Sequence, residues 1–289
     1  MKLRALAPAK VNLSLFLGEP RGDGRHELVT LFQSLSLADE LLLETGVESD
    51  TVVCPGVTGD NLAAAALAAL RARGWDAPPV RLSIGKRIPV AAGMAGGSAD
   101  AAAALRLASA VAPGRPEEID IVAASLGSDV PGQLVAGVAL GTGAGDLVER
   151  YEPLAPHAYV VLPGAVQLST ADVYAEADRL GLARPAAELR DRYVDLIAVL
   201  APGARLPERL LVNDLEEAAL SLCPEIRERL DLLVAAGAEH ALVSGSGPTA
   251  VGIRWGEDAL QWASAAAVEL GGGALAATPV TAEFAMPGP

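Results

Sequence analysis

The sequence predicts a mixed α/β (α+β) chain in two domains, on three observations. A half-buried strand pattern, Val80-Arg81-Leu82-Ser83-Ile84, runs into a glycine-rich loop and then into an Ala-rich helix. The chain changes character around Pro153 to Pro156, which divides it into residues 1–155 and 156–289. Its 289 residues suffice for two domains that share one cleft.

The elements follow in order. Leu3 to Ala7 alternates and predicts a strand, and Pro8 limits Ala7 to extended conformations. Lys10 to Leu17 alternates again, with Lys10, Asn12 and Ser14 on one face and Val11, Leu13 and Leu15 on the other. A lysine and an asparagine on a strand face read most simply as solvated surface. Gly18 to Gly24 is turn material, and Leu37 to Thr45 predicts another strand. Asp60-Asn61 caps a helix that runs through Leu70 to Arg73 and stops at Gly74. The helix after the glycine loop meets no breaker until Pro113, where Pro113-Gly114-Arg115-Pro116 turns the chain into a short helix, Glu117 to Leu126. Gly127-Ser128-Asp129-Val130-Pro131-Gly132 is a loop whose glycines and proline fix the backbone under Asp129. Val135 to Leu147 holds strands broken by Gly141, Gly143 and Gly145.

In the second half, Ala158 to Leu162 is a strand, and Ser169-Thr170 caps a helix through Tyr174 to Leu180. Pro185 to Leu206 is helical and loop-rich. Asn213-Asp214-Leu215-Glu216 has the spacing of a capping box. A helix over Ile226 to Ala236 ends at Gly237, and two strands then flank Ser244-Gly245-Ser246-Gly247-Pro248-Thr249. The residues from Pro287 are expected to fray.

Hydrophobic residues make up 51% of the chain but aromatics only 3%, so the core must be Ala, Val and Leu. A formal charge of -14 excludes a general nucleic-acid binder. The same charge repels anionic substrates, so any phosphate site must be locally positive. Cys54 and Cys223 read as buried thiols in a reducing cytoplasm. His26, His157 and His240 show no metal-ligand spacing. Lys10 and Asn12 interrupt the first apolar run too early for a signal peptide. No stretch reaches the ~20 apolar residues of a membrane span.

Strand, glycine loop and helix make a phosphate-binding geometry. Gly93, Gly96 and Gly97 let the backbone approach a ligand, and a helix start offers free N–H groups and a positive dipole end. Gly97-Ser98-Ala99 lacks the lysine of a Walker loop, and the spacing 93, 96, 97 is not the dinucleotide fingerprint. Locally, a glycine turn capping a packed helix fits equally well.

The order of motifs decides. Pro8-Ala9-Lys10-Val11-Asn12, the Ile88-Pro89 to Gly93-Met94-Ala95-Gly96-Gly97-Ser98 loop, and Ser244 to Thr249 together resemble the GHMP kinase superfamily. Asp23 to Leu28, Thr30 to Gln33, Gly127 to Pro131, Ser169-Thr170 and Asn213 to Glu216 narrow the resemblance. They are similar to the branch that phosphorylates a cytidine diphosphate-linked polyol in the non-mevalonate route to isoprenoid precursors. The resemblance spans residues 7 to 253 and implies the two-domain GHMP fold. In it the N-terminal half is ribosomal protein S5 domain 2-like, the C-terminal half is ferredoxin-like, and the active site lies between them.

By that resemblance the reaction moves the γ-phosphoryl of ATP, with Mg²⁺, onto the 2-hydroxyl of an erythritol unit. Asp129 is the catalytic base, and Lys10 is its partner and offers positive charge to the γ-phosphoryl. Pro89, Val90, Ala91, Ala92, Gly93, Met94, Ala95, Gly96, Gly97, Ser98 and Ala99 wrap the ATP phosphates, with Lys86 and Asn61 near the nucleotide. His26 reads the cytosine edge, Asn12 and Thr170 contact the substrate, and Tyr174 stacks on the base. No magnesium ligands are assigned. The implied partners are small molecules only, with no nucleic acid and no membrane, and the chain is expected to be a monomer or weak homodimer.

Four positions depart from the family pattern. Arg25 stands where many members have tyrosine, and a planar guanidinium can stack on a ring in its place. Ala95 and Ala99 replace a glycine and a serine of the loop. Asp100 puts a negative charge near the helix start, which suits the dipole but opposes a phosphate. The competing readings are a mevalonate-type or homoserine kinase of the same superfamily, whose substrates carry no base to read, and a non-catalytic binding protein with the same fold.

Overall fold

The computed structural model describes every residue except Ala91, Pro113 to Arg115 and Ala165, so most of the predicted turn at 113–116 lies outside the described residues. The chain begins with two long strands, β1 (Lys2–Pro20) and β2 (His26–Thr45), paired antiparallel along their length. The two segments expected on either side of Pro8 are thus one strand. The register shifts between Pro8 and Lys10 and again between Asn12 and Ser14, so the proline is absorbed as an irregularity.

β3 (Thr51–Val53), α1 (Leu62–Ala72), β4 (Val80–Gly85), α2 (Gly96–Val111), α3 (Pro116–Leu126), α4 (Asp129–Gln133), β5 (Val138–Thr142) and β6 (Leu147–Tyr151) complete the first half. Their strands form a six-stranded sheet in the order β3-β4-β2-β5-β6, with β1 on β2. β2 is long enough to pair β4 near its end and β5 near its start. The segment around Asp129, expected as a loop, is the short helix α4, with Asp129 as its first residue.

The second half holds β7 (His157–Leu162), α5 (Thr170–Leu180), α6 (Ala186–Val199), α7 (Glu216–Leu222), α8 (Ile226–Ala235), β8 (His240–Val243), β9 (Ala250–Trp255), α9 (Ala259–Leu270) and β10 (Leu275–Ala277). The sheet order β10-β7-β9-β8 makes a ferredoxin-like layer. The outer edge of β1 is covered by backbone of this half: Leu15 N donates to Val212 O at 2.7 Å, Asp214 N to Leu15 O at 2.9 Å, and Arg184 N to Leu17 O at 2.7 Å. These bonds cover the edge at Leu15 and Leu17 and tie the halves together. The tail is not frayed, because Gly288 exchanges two backbone hydrogen bonds with Arg4, at 2.8 and 2.9 Å.

The core is aliphatic, as composition requires. Ala101 to Leu105 of α2 are all fully buried. Their small side chains let α2 lie close against α1 and the strands beneath it. A second cluster joins the halves, with Val11, Leu13, Leu31 and Met94 meeting Tyr159, Val251 and Ile253.

Candidate active site

A cleft of about 830 Å³ opens between the two halves. It gathers Lys10, Asn12, Arg25, His26, Asn61, Lys86, Pro89, Val90, Ala92, Gly93, Ala95, Gly96, Gly97, Ser98, Asp129, Thr170 and Tyr174. Met94 and Ala99, expected with the loop, do not line it; their side chains are packed in the core at 1% and 0% exposure. Ala91 lies outside the described residues.

The β1 face expected to be solvated is buried: Lys10, Asn12 and Ser14 are 6%, 4% and 0% exposed. Burial demands partners, and they are present. Lys10 Nζ donates to Asn12 Oδ1 at 2.7 Å, Asn12 Nδ2 donates to Thr30 Oγ1 at 2.7 Å, and Thr30 Oγ1 donates to Ser14 O at 2.8 Å. This relay orients the Asn12 amide and anchors the lysine. Lys10 Nζ then stands 3.7 Å from Asp129 Oδ1, whose carboxylate is half exposed. The pair attracts but is not closed into a hydrogen bond, so the Asp129 oxygens remain available to a ligand.

The glycine loop is set against the C-terminal loop. Gly93 has φ +70°, and a Cβ there would meet Ser244 O at 2.5 Å and Gly247 O at 2.7 Å, so only glycine fits. Ser244 Oγ donates to Gly93 O at 3.1 Å. Ala95 precedes α2 in the left-handed region at φ 54°. For a residue with a Cβ that conformation costs roughly 1–2 kcal/mol. Gly96, Gly97 and Ser98 are the first residues of α2, and the N–H groups of a first turn have no intrahelical acceptor. An anion in the cleft can therefore meet free amides and the positive end of the helix.

Asn213 does more than cap a helix. Its Nδ2 donates to Val243 O at 2.8 Å and Gly245 O at 2.7 Å, and Glu216 accepts from Val243 N at 3.0 Å instead of reaching back to Asn213. The capping-box expectation is corrected: Asn213 Oδ1 accepts from Leu215 N at 3.0 Å, but the reciprocal Glu216 bond is absent, and both side chains brace the end of β8 where the Ser244–Thr249 loop begins. Asn61 does cap α1, accepting from Ala63 N at 2.9 Å and Ala64 N at 3.1 Å.

Below the loop lies a second charged cluster. Lys86 Nζ bonds Asp39, and donates to Asp100 at 2.7 Å; Asp39 also accepts from Arg87 N at 2.5 Å and Ile88 N at 2.8 Å. Asp100 lies beyond the first turn of α2 and is 4% exposed, so it neither serves the dipole nor reaches a phosphate freely. Burial pushes its carboxyl up to about 7, against the pull of Lys86. Burial opposes the Lys86 charge too, but the two carboxylates outweigh it and raise the ammonium above its ordinary value.

At the other end of the cleft, His26 Nε2 lies 2.8 Å from Asp178 Oδ1, and its ring centre is 5.1 Å from that of Tyr174. Arg25 donates to Asp23 at 2.9 Å and to Asp146 at 3.2 Å. Thr170 Oγ1 and Ser246 Oγ are 3.0 Å apart. Asp39 and Asp178 escape reading from sequence, and Thr30 is read only as part of a motif; Asp178 carried a signal of its own, since Thr170, Tyr174 and Asp178 repeat every four residues along α5.

Among the described residues no group of three or more His, Cys, Asp or Glu could hold a metal ion. Asp39 and Asp100 are committed to Lys86, and Asp100 Oδ1, at the lining of the cleft, is buried without a hydrogen-bond partner. These residues do not fit a resident magnesium cage. Both cysteines are free thiols; Cys223 is buried but Cys54 is only half-buried, against the expectation for it. No helix among the described residues is long and apolar enough to cross a membrane.

The GHMP kinase N-terminal domain model matches residues 60–143 and the C-terminal model residues 196–270. A 4-diphosphocytidyl-2-C-methyl-D-erythritol kinase of Streptomyces coelicolor is 43% identical over 263 residues, 86% of this chain and 86% of its own. The protein of that name from Corynebacterium efficiens is 45% identical over 270 residues, covering 86% of this chain and 84% of its own. A crystal structure of 4-(cytidine 5'-diphospho)-2C-methyl-D-erythritol kinase matches with a TM-score of 0.77 at 36% identity, over 95% of this chain and 98% of that one. A homoserine kinase from Cytophaga hutchinsonii matches over 99% of this chain and 96% of its own with a TM-score of 0.68, but at 16% identity it speaks to fold alone. The chain therefore belongs to the 4-diphosphocytidyl-2-C-methyl-D-erythritol kinase family of the GHMP kinases.

Proposed function

We propose that this chain transfers the γ-phosphoryl group of ATP to the 2-hydroxyl of 4-diphosphocytidyl-2-C-methyl-D-erythritol, a step of the non-mevalonate route to isoprenoid precursors. The observation that carries the reading is the Lys10–Asp129 pair, 3.7 Å apart in the same cleft as the glycine loop and the His26–Tyr174 pair. Phosphoryl transfer asks mainly for alignment and for charge at the migrating group. The free amides at the start of α2 hold the nucleotide phosphates. Asp129 accepts the proton of the acceptor hydroxyl, and Lys10, kept in place by Asn12, faces the charge on the γ-phosphoryl. His26, Tyr174 and Arg25 receive the cytosine, and Thr170 and Asn12 touch the polyol side of the acceptor. Asn61 and the rim at Pro89 and Val90 border the nucleotide.

Magnesium enters as the companion of the ATP phosphates and not as a resident metal. The reading goes with units at 1–155 and 156–289, and with a cytoplasmic monomer or weak homodimer that takes no nucleic acid. Mevalonate-type and homoserine substrates would leave the His26 end of the cleft without a ligand. The test is ATP-dependent phosphorylation of 4-diphosphocytidyl-2-C-methyl-D-erythritol beside cytidine-free acceptors. Turnover is expected with the cytidine acceptor; turnover only with cytidine-free acceptors refutes the reading.

A further inference from the structure

Helix α5 presents one stripe to the cleft. Thr170, Tyr174 and Asp178 succeed one another at one-turn intervals, and all three line it. The first two touch Ser246 and the His26 ring. Asp178 is bound to neither a lysine nor an arginine among the described residues; its hydrogen-bonding partner is His26 Nε2 at 2.8 Å. His26 itself, the first residue of β2, is 7% exposed and packs against α5. A buried imidazole is held by what its two nitrogens bond. An ionised carboxylate only accepts, so the ring nitrogen facing it must carry the proton.

We infer that Asp178 is a positioning residue for acceptor recognition: it fixes the His26 ring with its proton on Nε2, leaving Nδ1 as the nitrogen offered to the acceptor's base. In the neutral ring Nδ1 is a lone-pair acceptor. It complements the exocyclic amino group of cytosine and opposes the carbonyl that uracil carries at the same position. The same arrangement is used where a carboxylate orients a metal-bound histidine. Tyr174 closes one side of the ring, so tilt and tautomer are set together. The inference rests on the reading that the acceptor carries cytosine, and it adds the group that makes that choice.

The test compares wild type, Asp178→Ala and Asp178→Asn on the cytidine diphosphate-linked acceptor and its uridine counterpart, with ¹⁵N-histidine spectra of the unliganded enzyme. In wild type we expect a hydrogen-bonded Nε2 proton assigned to His26. In Asp178→Ala that signal is lost, the acceptor KM rises about tenfold, kcat and the ATP KM stay within about twofold, and the preference for cytidine falls several-fold. Asp178→Asn, whose amide oxygen can accept from the same N–H, recovers most of the acceptor affinity. An unchanged acceptor KM in folded Asp178→Ala, or ATP and acceptor KM rising together, overturns the inference while leaving the activity standing. Absence of turnover by wild type on the cytidine acceptor overturns the reading beneath it as well.

Discussion

Two lysine–aspartate clusters flank the glycine loop, and they are built to opposite ends. Lys86 is locked between Asp39 and Asp100, and Asp39 also holds the Arg87 and Ile88 amides; its side chain is fully buried. Lys10 is more buried than Lys86, at 8% against 16% side-chain exposure, but its carboxylate partner is half exposed and stands off at 3.7 Å. The first cluster is closed by its own contacts, which pin the end of β4 against α2, although Lys86 and Asp100 still border the cleft. The second keeps a charge and a carboxylate unspent at the cleft. The two clusters share residue types and differ in closure. Breaking a closed buried cluster leaves an uncompensated buried charge, which is costly to stability.

Asp129→Ala tests the open cluster and carries the largest effect. Its turnover is expected to fall roughly 10²–10⁴-fold, the range of a lost general base. Its thermal midpoint should match wild type, since Asp129 is half exposed. Steady-state kinetics with near-wild-type kcat would erase the contrast. Asp39→Ala tests the closed cluster. It strands Lys86 and two backbone N–H groups, and denaturant unfolding should register a loss of about 3–5 kcal/mol. A loss too small to measure would mean that Asp100 alone suffices to hold the lysine.

Asp100→Asn is the gentler probe of the same cluster. The folded carboxyl titrates near 7 and the unfolded one near 3.8, because burial disfavours its charge. Its contribution to stability is therefore full below the unfolded value and lost as pH rises through the folded one. The variant lacks that loss, so its melting temperature should climb relative to wild type between pH 4 and pH 8. A constant difference across that window would show that Asp100 is ionised throughout. Arg25 presents a third arrangement, a rim cation shared by Asp23 and Asp146. Removing it as Arg25→Ala should leave stability alone and raise the KM of the cytidine acceptor roughly fivefold through lost stacking. An unchanged KM would assign the guanidinium to the rim contacts only.

These clusters also show how far residue patterns reach. The caps at Asn61 and Ser169, the strand leading to the glycine loop and the helix behind it are read directly, since each depends on neighbours a few residues apart. The β1 face is misread as solvated because period-2 alternation says which residues share a face, not what covers it. Here Ser14 bonds the carbonyl of Leu210 from the other half of the chain, and the covered face becomes a floor for Lys10. Asn213 is read only in part for the same reason: its Oδ1 accepts from Leu215 N as a cap would, but its Nδ2 is spent on the carbonyls of Val243 and Gly245.

The amino-acid order alone determined the sequence of elements, the phosphate-type loop and the family, because propensity, capping and motif spacing are properties of adjacent residues. Only the folded chain decided that Lys86 is bonded to both its carboxylates while Lys10 and Asp129 stand apart, and that Asp178 stands against His26. Those outcomes depend on distance and on burial, which arise when segments far apart in sequence are brought together around one cleft.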